Sequence, residues 1–447
     1  MKLTTPRLAT IAAALTLAVL PASVSTAATG GSTSRPFPDS DCLWVHTFTA
    51  DDTDDNYAFP DSGAHYWAAA FTVPEGARLD LVGEFAHARY QSLNSYDLAT
   101  NAPVDALNDV ATKPDPGSRN PYLPGALRTG ESRRAFTVHV STDQVPGAGR
   151  VDNTLYSGVA DQPSQLVLYR LYLPDHGRDI TGGAGLPQAR LTMPDGQVLS
   201  GDDACDALKA STDKPYVATL PLSTYLSLRD QPGKPATFPA KADPLWLSFY
   251  NVQFGIQCTY FDMCGGAPAR IQSQYANIDN KYVSVQTSRG FGPVLTLRGK
   301  LPVTPATLEG QPVMGRKVDM RYWSLCSNES MATTRVEACV DDEDVVTDAH
   351  GYYTIVVSRP EDRPSGAIER CGVTWLAWPE RGDGAGHLDD NFLILRNMLP
   401  SAQFRHAVQN TRVPGDEREV MAEYLPTSTY GDTEDFTAPR KGRACRA

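Results

Sequence analysis

Residues 166–174 read Leu-Val-Leu-Tyr-Arg-Leu-Tyr-Leu-Pro, and residues 392–400 read Phe-Leu-Ile-Leu-Arg-Asn-Met-Leu-Pro. Both stretches are rich in branched or aromatic side chains and end at a proline. This composition is typical of β-strands, because such side chains pack well on a pleated surface. In each stretch an arginine stands fifth in an otherwise largely apolar run. The two stretches are therefore predicted to be equivalent strands of two related domains.

Three further blocks recur in the same order along the chain, and one of them keeps its internal spacing. Tyr66 is followed by glycines 10 and 17 residues later, and Tyr282 is followed by glycines at the same two distances. The matching pairs are 66–83 with 282–299, 89–93 (Arg-Tyr-Gln-Ser-Leu) with 321–325 (Arg-Tyr-Trp-Ser-Leu), and 136–141 with 353–358. Four blocks in one order indicate an internal duplication. The sequence therefore predicts a mostly β fold, made of two tandem β-sandwich or jelly-roll-like domains with a few short helices.

Composition along the chain predicts five segments. Lys2 and Arg7 precede an apolar run over residues 8–20 and small side chains at 22–28, a pattern typical of a secretion signal. The run is shorter than the roughly 20 apolar residues of a membrane span. The predicted segments are a signal peptide (1–27), a flexible leader (28–40), a first β domain (41–202), a connecting region with short helices (203–275) and a second β domain with C-terminal helices (276–447). Helices are expected at residues 203–210, 223–229, 401–408 and 417–425, with Ser401 as the cap of the third.

The excess of acidic over basic residues limits the classes of molecule that the chain can bind. The chain has 40 Lys and Arg against 52 Asp and Glu, and its net charge of −12 becomes −14 once Lys2 and Arg7 leave with the signal. Such a charge repels nucleic-acid phosphates and offers no basic patch for anionic lipid. We therefore expect a secreted, extracellular protein with no nucleic-acid partner and no membrane span after signal removal. The expected partner is an unidentified small molecule, glycan or protein.

Eight cysteines lie beyond the predicted signal, and an even number of cysteines in an exported chain indicates disulfides. Many pairings are possible. The favoured set is Cys42–Cys205, Cys258–Cys264, Cys326–Cys339 and Cys371–Cys445. The sequence contains no Cys-x-x-Cys motif, so zinc or thioredoxin-like chemistry is poorly supported.

Two segments resemble a known bacterial pattern. Residues 168–174 and the Arg-Tyr-x-Ser…Tyr-Asp segment at 89–97 are similar to strands of the paired domain-of-unknown-function families twelve-fourteen and twelve-fifty-four. The Arg-Tyr-Trp-Ser-Leu-Cys segment at 321–326 is similar to uncharacterised secreted proteins of actinobacteria. The second copy departs from the family pattern, with Asn-Met at 397–398 where the first copy has Leu-Tyr. The resemblance implies an all-β fold and carries no agreed activity.

Repeated arginines are the first candidates for a binding site. Arg89 matches Arg321, and Arg170 matches Arg396. Arg170 shares a predicted strand face with apolar side chains, and a buried lone charge is costly, so it requires water or a carboxylate such as that of Asp97. Two interpretations remain open. The arginines form either an anion or carboxylate site where two of them converge, or structural ion pairs that fix strand register, which their duplication favours.

A serine and a histidine are the candidates for hydrolytic chemistry. Ser92 follows His87 by five residues, so a nucleophile and its base are conceivable in the first copy. The second copy has Asp319 at the position of His87, and the sequence contains no Gly-x-Ser-x-Gly motif. A strand serine beside a surface histidine is the more common explanation of such a pair.

An acidic loop is the candidate metal site. Asp51, Asp52, Asp54 and Asp55 supply clustered oxygens, which are the ligands that calcium prefers. Their spacing does not match an EF-hand loop, and a solvated acidic loop is the commoner meaning of such a run. Apart from this calcium site, no cofactor is predicted.

Two function classes follow from these observations. The first is a non-catalytic extracellular binding or surface-interaction protein, because recognised catalytic motifs are missing from the sequence. The alternative is a secreted hydrolase with its site in the cleft between the two β domains, where polar residues specific to one copy, such as His65 and His139, are expected. An enzyme requires a perturbed acid or base in that cleft, whereas a binder requires aromatic or apolar surface without one.

Overall fold

The computed structural model describes residues 42–126, 128, 133–234, 237–243, 245–313, 315, 317–440 and 445. The predicted signal peptide (1–27) and leader (28–40) lie outside the described residues. Within the described part of the chain, nineteen strands form four sheets, and the α-helices are few and short. The predicted mostly β fold is therefore confirmed.

The first copy consists of two five-stranded sheets. Its strands are β1 (His46–Phe48), β2 (Ala64–Phe71), β3 (Arg78–Glu84), β4 (Ala88–Tyr96), β5 (Pro103–Asn108), β6 (Ala135–Ser141), β7 (Thr154–Tyr156), β8 (Gln165–Pro174), β9 (Gln188–Thr192) and β10 (Val198–Ser200). One sheet has the order β1-β2-β8-β4-β5 and the other has the order β10-β9-β3-β6-β7. Neighbouring strands are antiparallel except β6 and β7, which are parallel.

The second copy repeats this arrangement. Its strands are β11 (Leu247–Ser248), β12 (Asn280–Ser288), β13 (Val294–Lys300), β14 (Met320–Asn328), β15 (Val336–Asp341), β16 (Tyr352–Ser358), β17 (Thr374–Ala377), β18 (Asp390–Pro400) and β19 (Thr427–Gly431). The sheets have the orders β11-β12-β18-β14-β15 and β17-β16-β13-β19, and β16 and β17 are again the parallel pair. Shared topology, including the uncommon parallel pair, is what a duplication produces. β11 occupies the position of β1 in this scheme, although it lies inside the predicted connecting region.

In each copy, buried side chains from two facing sheets form a common core. In β6, Phe136, Val138 and Val140 are buried while the side chains between them are partly exposed. They share a core with Leu81 of β3 and Tyr169 of β8, which belong to the two facing sheets. The second copy has an equivalent core between its own sheets. Burial of each such side chain stabilises the fold by about 1.5–3 kcal/mol.

A third apolar cluster joins the two copies. The sheets β1-β2-β8-β4-β5 and β11-β12-β18-β14-β15 turn their remaining faces towards each other, so Tyr90 and Tyr172 of the first copy pack with Tyr322 and Met398 of the second. The rings of Tyr172 and Tyr322 are 5.1 Å apart between centroids and nearly perpendicular, a favourable geometry for aromatic pairs. These two sheets, the central sheets, therefore form the centre of the molecule, with the other two sheets outside them.

Short helices lie mainly in the connecting region. They are α1 (Gly201–Leu208), α2 (Leu222–Arg229), α3 (Val252–Phe261) and α4 (Glu417–Met421). The helix predicted at 401–408 is wrong: Ser401 donates its backbone N–H to Asp319, and the chain forms turns that bury Phe404. α3 was not predicted. Its sequence is apolar without a helical period, and its start is capped by Asn251, whose side chain accepts from the N–H of Phe254 at 2.8 Å.

The connecting region contacts both copies. Arg229 of α2 pairs with Asp390 of β18 at 2.6 Å, and the side chain of Asn101 donates to the carbonyl of Tyr216 at 2.6 Å. The structure contains the disulfides Cys42–Cys205, Cys258–Cys264, Cys326–Cys339 and Cys371–Cys445, which are the four predicted pairs. Four disulfides are consistent with a non-cytoplasmic protein. No helix within the described residues combines the length and apolarity that a bilayer crossing requires.

Candidate functional site

A cavity of about 180 Å³ lies where the central sheets of the two copies face each other. Its walls come from β2 and β8, from β12 and β18, and from two loops that precede β2 and β12. Aromatic side chains dominate the lining, namely Phe48, Tyr57, Phe59, Tyr66, Tyr172, Phe249, Tyr275, Tyr282 and Phe392. Such a pocket, apolar with a few placed polar groups, is the usual form of a small-molecule site.

Two of the repeated arginines reach this cavity from equivalent strands. Arg170 on β8 and Arg396 on β18 both line it, and their exposed fractions are 2% and 3%. Arg170 lies opposite Tyr66 in the strand register, and Arg396 lies opposite Tyr282. Each guanidinium is about 6 Å from the ring of that tyrosine, within the range of a cation–π contact.

Each arginine is held by a carbonyl group of the other copy. Arg170 donates to the carbonyl of Tyr275, and Arg396 donates to that of Phe59 at 2.8 Å. Tyr275 and Phe59 each stand seven residues before the tyrosine that opposes the arginine of their own copy. Both have left-handed backbones, with φ of 51° and 52°. A side chain in that region costs roughly 1–2 kcal/mol, so the fold sustains local strain to present these two carbonyls.

The two arginine sites differ in their side-chain partners. Nη1 of Arg170 donates to the hydroxyl of Tyr96, whereas Nη1 of Arg396 donates to Sγ of Cys326 at 2.6 Å, and among the described residues a carboxylate lies beside Arg396 but not beside Arg170. Asp61 lies 3.6 Å from Arg396 and also accepts from the hydroxyls of Tyr322 at 2.9 Å and Ser324 at 2.6 Å. Asp61 stands five residues before the tyrosine of β2, and Asn277 stands five residues before that of β12. Asp61 and Asn277 are therefore equivalent positions. The loop before β2 places a carboxylate beside the second-copy strands, and the loop before β12 places an amide beside the first-copy strands.

Three residues that line the cavity carry a buried polar atom with no hydrogen-bond partner within the described residues. These atoms are Nε of Arg170, Nδ2 of Asn277 and the hydroxyl oxygen of Tyr57. The amide orientation of Asn277 follows from its oxygen, which accepts the backbone N–H of Asp279 at 3.1 Å and the hydroxyl of Tyr90 at 3.2 Å. Arg170 donates to the hydroxyl of Tyr96 and forms no ion pair with any described residue.

The predicted pairing of Arg170 with Asp97 is wrong. Asp97 lies just beyond β4, where its carboxylate accepts the backbone N–H groups of Ala99 and Thr100 and closes a turn. The side chain of Gln162 also donates to it. The carboxylate is therefore engaged by the turn, and Arg170 stays buried without a carboxylate, a situation that costs several kcal/mol in proteins.

The other two repeated arginines hold the copies together and do not line the cavity. Arg89 donates to Asp342 at 2.7 Å and to the carbonyl of Arg321 at 3.1 Å. Arg321 donates to Asp109 at 3.1 Å and to the carbonyl of Arg89 at 3.2 Å. The predicted binding set of Arg89, Arg170, Arg321 and Arg396 thus divides into an interface pair and a cavity pair.

The structure does not bring the predicted catalytic candidates together. Ser92 is buried on β4 and accepts from the side chain of Asn94 at 2.7 Å. His87 lies before that strand, where its main chain bonds to Gly182 and Asp175. Burial, followed by the positive charge of Arg134, lowers the pKa of His87 to about 4. No hydrogen bond joins Ser92 to His87 in the described structure, so a serine–histidine pair is not formed.

A lysine lies against the predicted calcium loop. Lys214 pairs with Asp55 at 2.8 Å and donates to the carbonyl of Asp54 at 3.0 Å. Asp55 also accepts from the hydroxyl of Thr47. Among the described residues, the groups whose oxygen, nitrogen or sulfur atoms could jointly hold an ion do not include Asp51, Asp52, Asp54 or Asp55.

A polar cluster that the sequence did not indicate lies where α2 meets the second copy. His387 contacts Asp383 at 2.6 Å and Asp230 at 2.9 Å, and Asp390 lies close enough to complete a group of potential metal ligands. Arg229 already supplies a positive charge to Asp390. Burial raises the pKa of Asp390 to about 6. The cluster fastens the connecting region to the second copy.

Two tyrosines that line the cavity have raised pKa values. Burial, followed by the negative charge of Asp61, raises the pKa of Tyr66 to about 12, and burial also raises the pKa of Tyr282. Both phenols are therefore neutral near pH 7. The described residues that line the cavity include no aspartate, glutamate, histidine, lysine or cysteine. The charges at its wall are the two guanidinium groups.

Comparison with known proteins identifies no family: no family model and no curated protein matches the chain. The fold is similar to the crystal structure of an uncharacterised protein from Burkholderia cenocepacia (12% identity, 87% of this chain and 82% of that one, TM-score 0.46). It is also similar to the crystal structure of a protein from Vibrio parahaemolyticus (11% identity, 84% of this chain and 90% of that one, TM-score 0.37). Neither likeness bears on function, and the resemblance to the paired bacterial families stays a prediction.

Proposed function

We propose that this chain is a secreted, extracellular binding protein that holds a small organic molecule in the cavity between its two copies. The observation that carries the proposal is the cavity itself, lined by aromatic rings and by two buried arginines. Export is supported by the signal-like start of the sequence and by four disulfides. Small-molecule sites are commonly built in this way at the junction of two domains.

The size of the cavity limits the ligand. An engineered apolar cavity of about 150 Å³ binds benzene, and the cavity of this chain measures about 180 Å³. A ligand somewhat larger than benzene is therefore the right scale, which corresponds to one aromatic ring with a small polar substituent. Aromatic walls such as those of Tyr66 and Phe392 suit a flat ring.

Binding is favoured over hydrolysis by the chemistry of the lining. A hydrolase needs a nucleophile and a base within hydrogen-bond reach of each other. The described lining residues supply no carboxylate, imidazole or amine that could serve as that base. Ser92 and His87, the residues considered for that role, are not paired and do not line the cavity.

Closing the cavity mouth tests the proposal. Ala218 lines the cavity but is exposed, so Ala218→Trp will obstruct the entrance without disturbing a core. We expect benzamide, benzyl alcohol and benzoate to bind the wild-type chain in ligand-observed NMR titrations. The variant will bind them at least about tenfold more weakly, which corresponds to about 1.4 kcal/mol.

Ala402→Trp is the matched control, because Ala402 is also exposed and does not line the cavity. It will bind the three compounds as the wild type does. Absence of binding by all three compounds, or equal weakening by both tryptophan variants, contradicts the proposed site.

A further inference from the structure

We propose that the ligand carries one carboxylate group, and that this carboxylate is bound by Arg170 and Asn277. The inference rests on the proposed binding function and adds the chemical class of the ligand, a small aromatic monocarboxylate. It follows from a comparison of the two arginine sites that the duplication has placed in one cavity.

The second-copy arginine shows what a complete site contains. Arg396 is bound by a carbonyl group, and the carboxylate of Asp61 lies 3.6 Å away. Arg170 is bound by the equivalent carbonyl, but the residue at the position of Asp61 is Asn277. The missing element of the Arg170 site is therefore a carboxylate. A ligand can supply it, because Arg170 and Asn277 both line the cavity.

The two residues proposed to bind the carboxylate each have a donor without an acceptor. Nη1 and Nη2 of Arg170 already donate to Tyr96 and Tyr275, which leaves Nε without an acceptor among the described residues. Nδ2 of Asn277 has no acceptor either. The two residues are 2% and 1% exposed and both atoms are almost inaccessible to water, so a carboxylate contacts them only if the two side chains shift when the ligand binds. A buried donor without an acceptor is costly, and an anionic acceptor forms the strongest bond with it.

The charge around the cavity selects a monoanion. Arg170 and Arg396 contribute two positive charges, and Asp61, the carboxylate among the described residues that lies within 4 Å of either guanidinium, contributes one negative charge. One carboxylate on the ligand balances the remaining charge. A neutral ligand leaves Arg170 uncompensated, and a dianion introduces an excess negative charge into an aromatic-lined site.

Benzoate and benzamide test this inference, because they have nearly the same shape and differ in charge. Isothermal titration calorimetry at pH 7 and low salt gives both affinities. We expect the wild-type chain to bind benzoate at least about tenfold more tightly than benzamide, because the bond to an ionised acceptor is the stronger one. Addition of salt will weaken benzoate binding only modestly, since Arg170 and Asn277 are buried.

The variant Asn277→Asp places a carboxylate beside Arg170, as Asp61 stands beside Arg396. It will weaken benzoate binding at least about tenfold and abolish the preference for benzoate over benzamide, because Arg170 then has a carboxylate from the chain itself. Gln403→Glu adds the same charge at an exposed position outside the cavity and will change neither affinity. Arg170→Met, checked for folding by its thermal transition, will abolish the preference for benzoate.

The outcomes separate the two proposals. Equal affinities for benzoate and benzamide in the wild type, or undiminished benzoate binding in a folded Asn277→Asp variant, overturn the carboxylate inference and leave the binding function standing. Failure of both compounds to bind the wild-type chain overturns the binding function, and the carboxylate inference falls with it.

Discussion

Asp341 lies buried at the end of β15, and its surroundings disfavour its negative charge. Burial, followed by the negative charges of Asp344 and Asp342, raises its pKa from 3.8 to about 8. Between about pH 4 and pH 8, Asp341 is therefore protonated in the folded chain and ionised in the unfolded chain. The contribution of this residue to stability is present at pH values below about 4 and is lost as the pH rises towards about 8.

Replacement of this carboxyl group by an amide will remove that dependence on pH. In Asp341→Asn, we expect the free energy of unfolding, relative to wild type, to increase as the pH rises from about 5 to about 8, because the variant has no proton to lose. The amide oxygen can still accept the N–H of Glu343, which now bonds to Asp341 at 2.8 Å. Urea unfolding at a series of pH values measures the difference. Asp262→Asn, at a side chain that is 89% exposed, is the control, and parallel profiles for wild type and Asp341→Asn would refute the prediction.

At the scale of single residues, the sequence predicted which arginines recur but not what binds them. Asp97 was chosen as a partner because it is near in sequence, yet it closes a local turn. The groups that hold Arg170 and Arg396 are carbonyls of Tyr275 and Phe59, which belong to the opposite copy. Every residue has a main-chain carbonyl, so the amino-acid sequence does not indicate which two of them bind these arginines.

At the scale of strands and helices, local chemistry predicted the long strands rich in branched and aromatic side chains and missed the short ones. β6 alternates between buried and partly exposed side chains, whereas β8 is buried over nearly its whole length, and their partners β16 and β18 were recognised with them. β7 has three residues and runs parallel to β6, and such a short segment carries no period. The helix expected at 401–408 failed because burial of Phe404 and a bond from Ser401 to Asp319 outweighed helix propensity.

The disulfides allow a prediction at this scale, because they close loops of very different length. Cys42–Cys205 joins the chain before β1 to α1 across 163 residues, whereas Cys258–Cys264 spans six. From loop entropy, we expect Cys42→Ala/Cys205→Ala to lower the free energy of unfolding by about 5 kcal/mol, and Cys258→Ala/Cys264→Ala by about 2 kcal/mol. Urea denaturation of the two double variants compares them. A larger loss for the shorter loop would contradict this account.

At the scale of the whole molecule, buried charges fix one copy against the other. Arg89 of the first copy pairs with Asp342 of the second, and Arg321 of the second pairs with Asp109 of the first. Arg321 and Asp109 are fully buried. Loss of one partner leaves the other as an uncompensated charge between the copies, which destabilises a protein by about 3–5 kcal/mol.

The variant Arg321→Met tests how much the buried ion pair with Asp109 stabilises the fold. We expect the free energy of unfolding to fall by about 3–5 kcal/mol, because Asp109 loses its counter-ion in the buried interface. Lys113→Met removes one partner of an exposed ion pair with Asp152 and is the control, with an expected change below about 1 kcal/mol. Chemical denaturation of both variants supplies the comparison. A change in Arg321→Met as small as that of the control would show that the interface tolerates the unpaired carboxylate.

Arg89 and Arg321 each donate to the carbonyl of the other, at 3.1 and 3.2 Å, so the bond is reciprocal. Reciprocal contacts of this kind characterise a two-fold symmetric homodimer, in which every interface bond occurs twice. A single-copy ancestor that associated in this way would have carried two identical arginine sites. Within one chain, the equivalent positions 61 and 277 are free to differ, and they do. The present molecule is in effect a heterodimer on one polypeptide, with aspartate at one arginine and asparagine at the other.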